Sequence, residues 1–127
     1  MKISDAAARC GLPVKTVRYY CDIGLVAPLR GANGYRDYAE SDLRRLSFIG
    51  RARTFGFSVN DCRRLLGLYD DENRASADVK AIAKEHIAAL DEKLAELQTL
   101  RGELVGIASA CKGDANARCP IIDHLAG

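Results

Sequence analysis

Hydrophobic positions recur at helical spacing along most of the chain, and the breaks between runs fall at glycine, proline and asparagine. Ile3, Ala6, Ala7 and Cys10 form a first apolar stripe, with Ser4 placed to cap it and Gly11 to end it. After a short turn through Leu12 comes a second stripe of Val14, Val17, Tyr20 and Cys21, with Pro13 suited to its first turn and Gly24 to its end. Two short helices joined by a tight glycine turn predict a helix-turn-helix, whose second helix is the expected recognition element. Beyond Pro28, Asn33-Gly34 signals a hairpin turn because both residues tolerate positive φ, and Arg30, Tyr35, Arg36 and Tyr38 flank it. A small hairpin bearing Arg and Tyr beside a helix-turn-helix reads as a wing. Two further helices are expected, one capped by Ser41, running through Leu43, Leu46, Ile49 and Phe55 and stopped at Gly56. The other is capped by Ser58 and runs through Val59, Cys62, Leu65, Leu66 and Tyr69.

From Asp78, read as a cap, apolar residues recur at Val79, Ile82, Ala83, Ile87, Leu90, Leu94, Leu97, Leu100, Leu104 and Ile107 with no proline. About thirty residues at 1.5 Å each predict a rod roughly 45 Å long, which outruns a head of this size. The steps from Ile87 through Leu90, Leu94 and Leu97 alternate three and four, the spacing of a coiled-coil seam, with Leu104 further along it. A seam between two copies, parallel or antiparallel, fits this spacing better than packing within one chain. The heptad breaks at Arg101, and Gly102 and Gly106 each cost about 1 kcal/mol relative to Ala in a helix. That end is expected to need small residues or a looser backbone. The pattern divides the chain into a DNA-binding head over 1–69, a linker over 70–77, a dimerisation helix over 78–108 and a loop with a short terminal helix over 109–127. The fold class is mainly α with one small hairpin.

Charge sharpens this division. The net charge is only +2, but residues 1–69 carry 12 Lys and Arg against 6 Asp and Glu, and residues 70–127 carry 7 against 11. A head of +6 beside a segment of −4 points to a polyanionic partner for the head alone. On the polar face of the second helix stand Lys15, Thr16, Arg18 and Tyr19, able to reach phosphates and base edges. Arg44, Arg45, Arg51, Arg53, Arg63 and Arg64 lie on the outer faces of the next two helices, where most are expected only to solvate a helix surface. The 48% apolar content excludes a wholly disordered chain, and no apolar run approaches the roughly eighteen residues of a membrane span. Lys2, Asp5 and Arg9 interrupt any signal-peptide pattern, so a cytoplasmic location is expected.

The five cysteines, at 10, 21, 62, 111 and 119, do not suit a secreted disulfide framework. Cys10, Cys21 and Cys62 fall on apolar helix phases and read as small buried hydrophobes. Cys111 and Cys119 are different: seven residues separate them in a polar loop after the long helix. Gly113 permits a turn out of that helix, and Pro120 begins a short helix through Ile121, Ile122 and Leu125. Cys119 then stands at its N-cap, where unpaired N–H groups are expected to lower the thiol pKa. Two thiolates suit a soft monovalent ion, with Cu(I) the biologically common candidate and Ag(I) and Au(I) its chemical relatives. Zinc would need Asp123, His124 or other ligands as well. A redox disulfide, or a pair of thiols with no function, fits the same spacing. No catalytic dyad surrounds His86, and neither a phosphate-binding glycine loop nor a carboxylate pair occurs, so no enzyme is expected.

On Val17-Arg18-Tyr19-Tyr20, Gly24-Leu25-Val26, Asn33-Gly34-Tyr35-Arg36 with Tyr38, Gly56-Phe57, Ser76-Ala77-Asp78-Val79-Lys80 and the Cys111–Cys119 loop, the chain resembles the bacterial MerR family of transcription regulators. Within that family it is most similar to the CueR-like, copper(I)-responsive branch. The resemblance covers essentially the whole length. It implies a winged helix-turn-helix head, an antiparallel coiled-coil homodimer and a metal loop at each end of the coil. It also implies one Cu(I) per subunit as inducer, or Ag(I) or Au(I), held by Cys111 and Cys119. Ser76 stands where divalent-metal branches carry a third cysteine from the partner subunit. The implied partners are near-palindromic double-stranded promoter DNA and RNA polymerase, with no membrane. Metal would trigger distortion of a promoter for copper efflux or detoxification. Lys15, Arg18, Tyr19, Tyr20, Tyr35 and Arg36 would contact the DNA, joined by Thr16 and Asn33 from the reading above. Pro13, where polar caps are common, and the absence of a Cys or His tail after Leu125 depart modestly from the pattern. A zinc or redox sensor of the same family remains an alternative, and so does a copper-trafficking protein.

Overall fold

A computed structural model describes residues 1–127 as six helices and one hairpin. In chain order they are α1 (Ile3–Cys10), α2 (Val14–Asp22), β1 (Leu29–Arg30), β2 (Arg36–Asp37), α3 (Glu40–Thr54), α4 (Val59–Asp70), α5 (Ser76–Ala110) and α6 (Pro120–Ala126). The chain divides into two compact units, Met1–Ile82 and Ala83–Gly127.

In the first unit, α1 packs on α2 and α3, and α3 packs on α4. The apolar stripes supply the core: Ala6 and Ala7 from α1, Val17 and Tyr20 from α2, Leu43, Leu46, Ile49 and Ala52 from α3, and Cys62 and Leu66 from α4. Leu25, Val26 and Tyr38 close it from the connections. Alanine at both buried positions of α1 lets that short helix sit close to its neighbours. Cys62 is fully buried. Cys10 and Cys21 are half-buried, each with its sulfur satisfied: Cys10 Sγ donates to Leu43 O at 3.6 Å, and Cys21 Sγ lies 3.2 Å from Tyr38 Oη. The reading of these three as packing residues agrees with that placement.

Helix ends follow the glycine signals more closely than the hydroxyl signals. Gly11 takes φ +67° and Gly56 φ +86°, the left-handed backbone that ends a helix at little cost for glycine. Ser58 Oγ accepts from Asp61 N–H at 3.0 Å, the expected cap. Ser4 and Ser41 are corrections: both lie inside their helices, whose N-caps are Lys2 and Ala39. At α3 the carboxylate of Asp42 accepts the Ala39 N–H at 2.8 Å, so a residue inside the first turn satisfies the helix start. Pro13 is the N-cap of α2 rather than part of its first turn, its extended ψ of 145° leading into the helix. Phe55, expected on the apolar stripe of α3, is instead its C-cap and 72% exposed, because the helix ends before the stripe returns to the core.

The hairpin pairs Leu29 with Asp37 and Arg30 with Arg36 in antiparallel register. Gly34 has φ +81°, but Asn33 does not take positive φ. Asn33 acts through its side chain, whose Oδ1 accepts the Tyr35 N–H at 3.1 Å. Gly34 N–H donates to Gly31 O at 3.0 Å, and Gly31 N–H to Tyr35 O at 2.8 Å, so the loop is longer than a two-residue turn. Tyr38 N–H donates to Met1 O at 2.8 Å, which ties the returning strand to the start of α1.

Helix α5 starts at Ser76, two residues before the expected Asp78 cap, and continues unbroken through Gly102 and Gly106. Its 35 residues give a length of about 52 Å. Ile82, at the end of the first unit, is buried. In the second unit Ile87, Leu90, Leu94, Leu97 and Leu104 are 40–62% exposed in the single chain. No helix is long and apolar enough to cross a membrane.

Candidate nucleic-acid interface and metal centre

Helix α2 and the hairpin bring their polar residues to one side of the first unit. A cleft of about 580 Å³ is lined by Lys2, Arg18, Arg30, Asn33, Tyr35 and Arg36, together with Ile3, Ser4 and Tyr38. Four cations and no carboxylate line it, a surface that attracts phosphate. Arg36 Nη2 donates to Asp22 Oδ1 at 3.0 Å, which clasps the wing to the end of α2 and raises the guanidinium pKa further. Arg30 Nη1 donates to Gly34 O at 2.7 Å and stiffens the wing tip. Burial, with the Cys21 contact second, pushes the Tyr38 phenol up to about 12, so it is neutral at physiological pH.

Of the sequence-predicted residues, the cleft collects Arg18, Asn33, Tyr35 and Arg36. Lys15 and Tyr19 are exposed on α2 and Thr16 is half-buried, all three outside the cleft wall. Tyr20 is a correction: it is 6% exposed and belongs to the core, one helical turn from Val17, with Tyr19 tilted against its ring at 5.8 Å. The exposed face of α2 turns away from it. Lys2 was not anticipated in the cleft. It arrives there through the long-range Tyr38–Met1 bond, which leaves no mark in local periodicity.

Several helix-face arginines are engaged within the fold. Arg45 donates to Leu25 O and to Asp70, Arg63 Nη2 donates to Ile23 O at 2.8 Å, and Arg53 Nη1 to Phe57 O at 2.7 Å.

In the second unit, the two cysteines of the loop after α5 face each other. Cys111 Sγ and Cys119 Sγ are 3.3 Å apart, both are free thiols, and both are half-buried. Gly113 turns the chain at φ +65°. Asp114 Oδ1 accepts from Asn116 N–H at 2.9 Å and Asn116 Oδ1 from Arg118 N–H at 3.2 Å, two successive turns that return the chain to Cys119. Pro120 occupies the first turn of α6 and Cys119 its N-cap. The Ile122 N–H, then the Cys111 thiol and the Ile121 N–H, lower the Cys119 pKa, although Sγ does not close a full capping hydrogen bond. No third Cys, His, Asp or Glu joins the pair, so Asp123 and His124 do not complete a site. Two sulfur donors alone fit a soft, two-coordinate monovalent ion better than zinc, which takes four ligands. Ser76 is exposed at the first position of α5.

Residues 1–68 match the family described as MerR HTH family regulatory protein, and residues 43–107 match the one described as MerR, DNA binding. The chain is 51% identical over 125 residues to the HTH-type transcriptional regulator HmrR of Rhizobium leguminosarum bv. viciae, covering 98% of this chain and 97% of that one. It is 44% identical over 128 residues to the HTH-type transcriptional regulator CueR of Salmonella typhimurium, covering 100% and 93%. Among solved structures it is similar to the transcription regulator PbrR691 from Ralstonia metallidurans CH34 in complex with lead(II). That match has a TM-score of 0.83 and 32% identity, and covers 98% of each chain.

Proposed function

This chain belongs to the MerR family of metal-responsive transcription regulators, which are not enzymes, and from that premise we propose that it is a Cu(I)-responsive homodimeric activator of copper-efflux or detoxification promoters. The observation that carries the choice of ion is the donor count: Cys111 and Cys119 are brought into contact with no third donor beside them, and the two thiols move apart to admit the ion. Two thiolates around a monovalent ion leave one net negative charge, and Ag(I) and Au(I) satisfy the same donors. The resemblance implies that Ser76 stands where divalent-metal branches carry a third cysteine from the partner subunit, so a hydroxyl there favours a monovalent ion. The resemblance of the loop to the CueR-like branch favours copper, whereas the lead(II) complex of PbrR691 shows that this fold also serves divalent ions.

In this reading Lys15, Thr16, Arg18 and Tyr19 face the major groove from α2, and Asn33, Tyr35 and Arg36 grip the flanking backbone from the wing. Ile87, Leu90, Leu94, Leu97 and Leu104 form the seam of an antiparallel coiled coil, which sets two heads on a near-palindromic site within a promoter used by RNA polymerase. The dimer stays on its operator, and loading of the thiolate pair changes transcription through distortion of the promoter DNA.

Cys111→Ser and Cys119→Ser test the assignment. Each abolishes Cu(I)-dependent transcription while operator affinity stays at the wild-type value. Loss of operator binding in both variants would instead make the loop a structural site. The same sulfur separation favours a second reading, a redox sensor closed by a disulfide, which responds to oxidant and not to Cu(I) under reducing conditions.

A further inference from the structure

The exit of α2 is held by arginines from two other helices. Arg63 of α4 donates from Nη2 to Ile23 O at 2.8 Å. Arg45 of α3 donates to Leu25 O from Nε at 3.3 Å and from Nη2 at 3.2 Å. Ile23 is the C-cap of α2, so its carbonyl lies at the negative end of the helix dipole, where a cation is favourable, and Leu25 follows in the turn that its own N–H ties to Tyr20 O at 2.9 Å. The remaining arm of Arg45, Nη1, reaches the Asp70 carboxylate.

Asp70 is the last residue of α4, directly before the connection into α5. A carboxylate at a helix C-terminus opposes the dipole and weakens the helix that carries it. Asp70 therefore does nothing for α4 itself, and its contribution lies in the bond to Arg45. The Arg45 side chain is 24% exposed and that of Asp70 54%. A guanidinium is a rigid planar fork, so one arm cannot follow a displaced carboxylate without turning the others. A lysine ammonium on its flexible stem could hold the carbonyl or the carboxylate but would not couple them in this way.

We propose that Arg45 is a positioning residue that couples the α4–α5 junction to the recognition helix: displacement of Asp70 at the junction is delivered through one guanidinium to the Leu25 carbonyl and thus to the exit of α2. This inference rests on the reading of the protein as a metal-switched, DNA-distorting regulator. It adds a mechanical link inside the head, with every bond in the Met1–Ile82 unit.

The test uses the full-length protein as wild type, Asp70→Ala, Arg45→Lys and the double variant. Asp70→Ala removes an unfavourable dipole interaction and leaves α4 intact, and Arg45→Lys keeps the charge while losing the fork. Two measurements are made: hydrogen exchange at the amides of residues 23–26, and the fluorescence of a base analogue at the centre of operator DNA with and without Cu(I). Both single variants raise exchange at 23–26 and retain metal-free operator affinity. Both also cut the Cu(I)-dependent fluorescence change by about fivefold or more, the lower range of allosteric coupling. The double variant is no worse than either single one, because one link is broken in all three. Wild-type exchange together with a full Cu(I) response in either single variant overturns the proposal, as do additive losses in the double variant. A wild-type protein with no Cu(I)-dependent change refutes the regulator reading. In that case the exchange measurement alone decides the link, since raised exchange at 23–26 in Asp70→Ala supports it and unchanged exchange overturns it.

Discussion

Arg18 and Arg36 share one basic cleft but stand in different electrostatic settings. Arg36 is clasped by Asp22 at 3.0 Å, whereas Arg18 is exposed on α2 with its charge available to a phosphate. Arg18→Ala therefore weakens operator binding and reduces the slope of log affinity against log salt by about one, because one fewer counterion is released. Affinity for Cu(I) does not change. Titrations at several salt concentrations check this, and an unchanged slope would remove Arg18 from the phosphate contacts. Cys119 gives a second residue-scale test. Its thiol pKa is lowered chiefly by the Ile122 N–H at the start of α6, so the reactive thiolate persists to lower pH than in an ordinary thiol. Alkylation of Cys119 in the metal-free protein rises with pH through a midpoint below about 8.5, the usual thiol value, and returns to that value in urea. Site-resolved mass spectrometry reads it, and equal midpoints in the folded and unfolded chain would contradict the helix-terminus effect.

At the scale of elements, α5 carries the clearest unmet requirement. Leucines 94 and 97 are 57% and 62% exposed in the single chain, and burying a side chain of that size contributes about 1.5–3 kcal/mol. Leu94→Glu places a charge in the proposed seam, so sedimentation shifts from dimer to monomer while the head keeps its helical signal; a dimer that persists would move the seam elsewhere. The elements themselves were largely legible in the sequence, because periodic stripes and glycine stops are local. Gly11, Gly24, Gly34 and Gly56 all take the positive φ that their positions suggested. Caps are less legible. Ser4 and Ser41 carry the right side chain, but Lys2 and Ala39 hold the N-cap backbone, and at α3 Asp42 satisfies the free N–H from inside the first turn. Asn33 was placed correctly in the turn, but its contribution comes from its amide oxygen rather than from its φ.

Across the whole molecule, the sequence shows which candidate residues come together wherever chemistry and spacing coincide, and hides it wherever a long-range contact decides. The thiol pair at Cys111 and Cys119 comes from one loop closed by Asp114 and Asn116, so its sequence is enough to find it. Lys2 enters the cleft only through the Tyr38–Met1 bond, and Arg45 meets Leu25 and Asp70 across 20 and 25 residues, which no periodicity reports. Tyr20 belongs to a motif that resembles DNA-contacting residues, although its own helical phase puts it in the core. The proposed function joins the two units, with two thiolates governing a basic head. Transcription in vitro tests it most directly, with bacterial polymerase, a promoter containing a long-spaced palindrome, reducing anaerobic conditions and free Cu(I) or Zn(II) set by a chelator. Activation by Cu(I) alone at very low free ion is expected; activation by Zn(II) alone, or operator binding with no response to Cu(I), would rule out a Cu(I)-responsive activator.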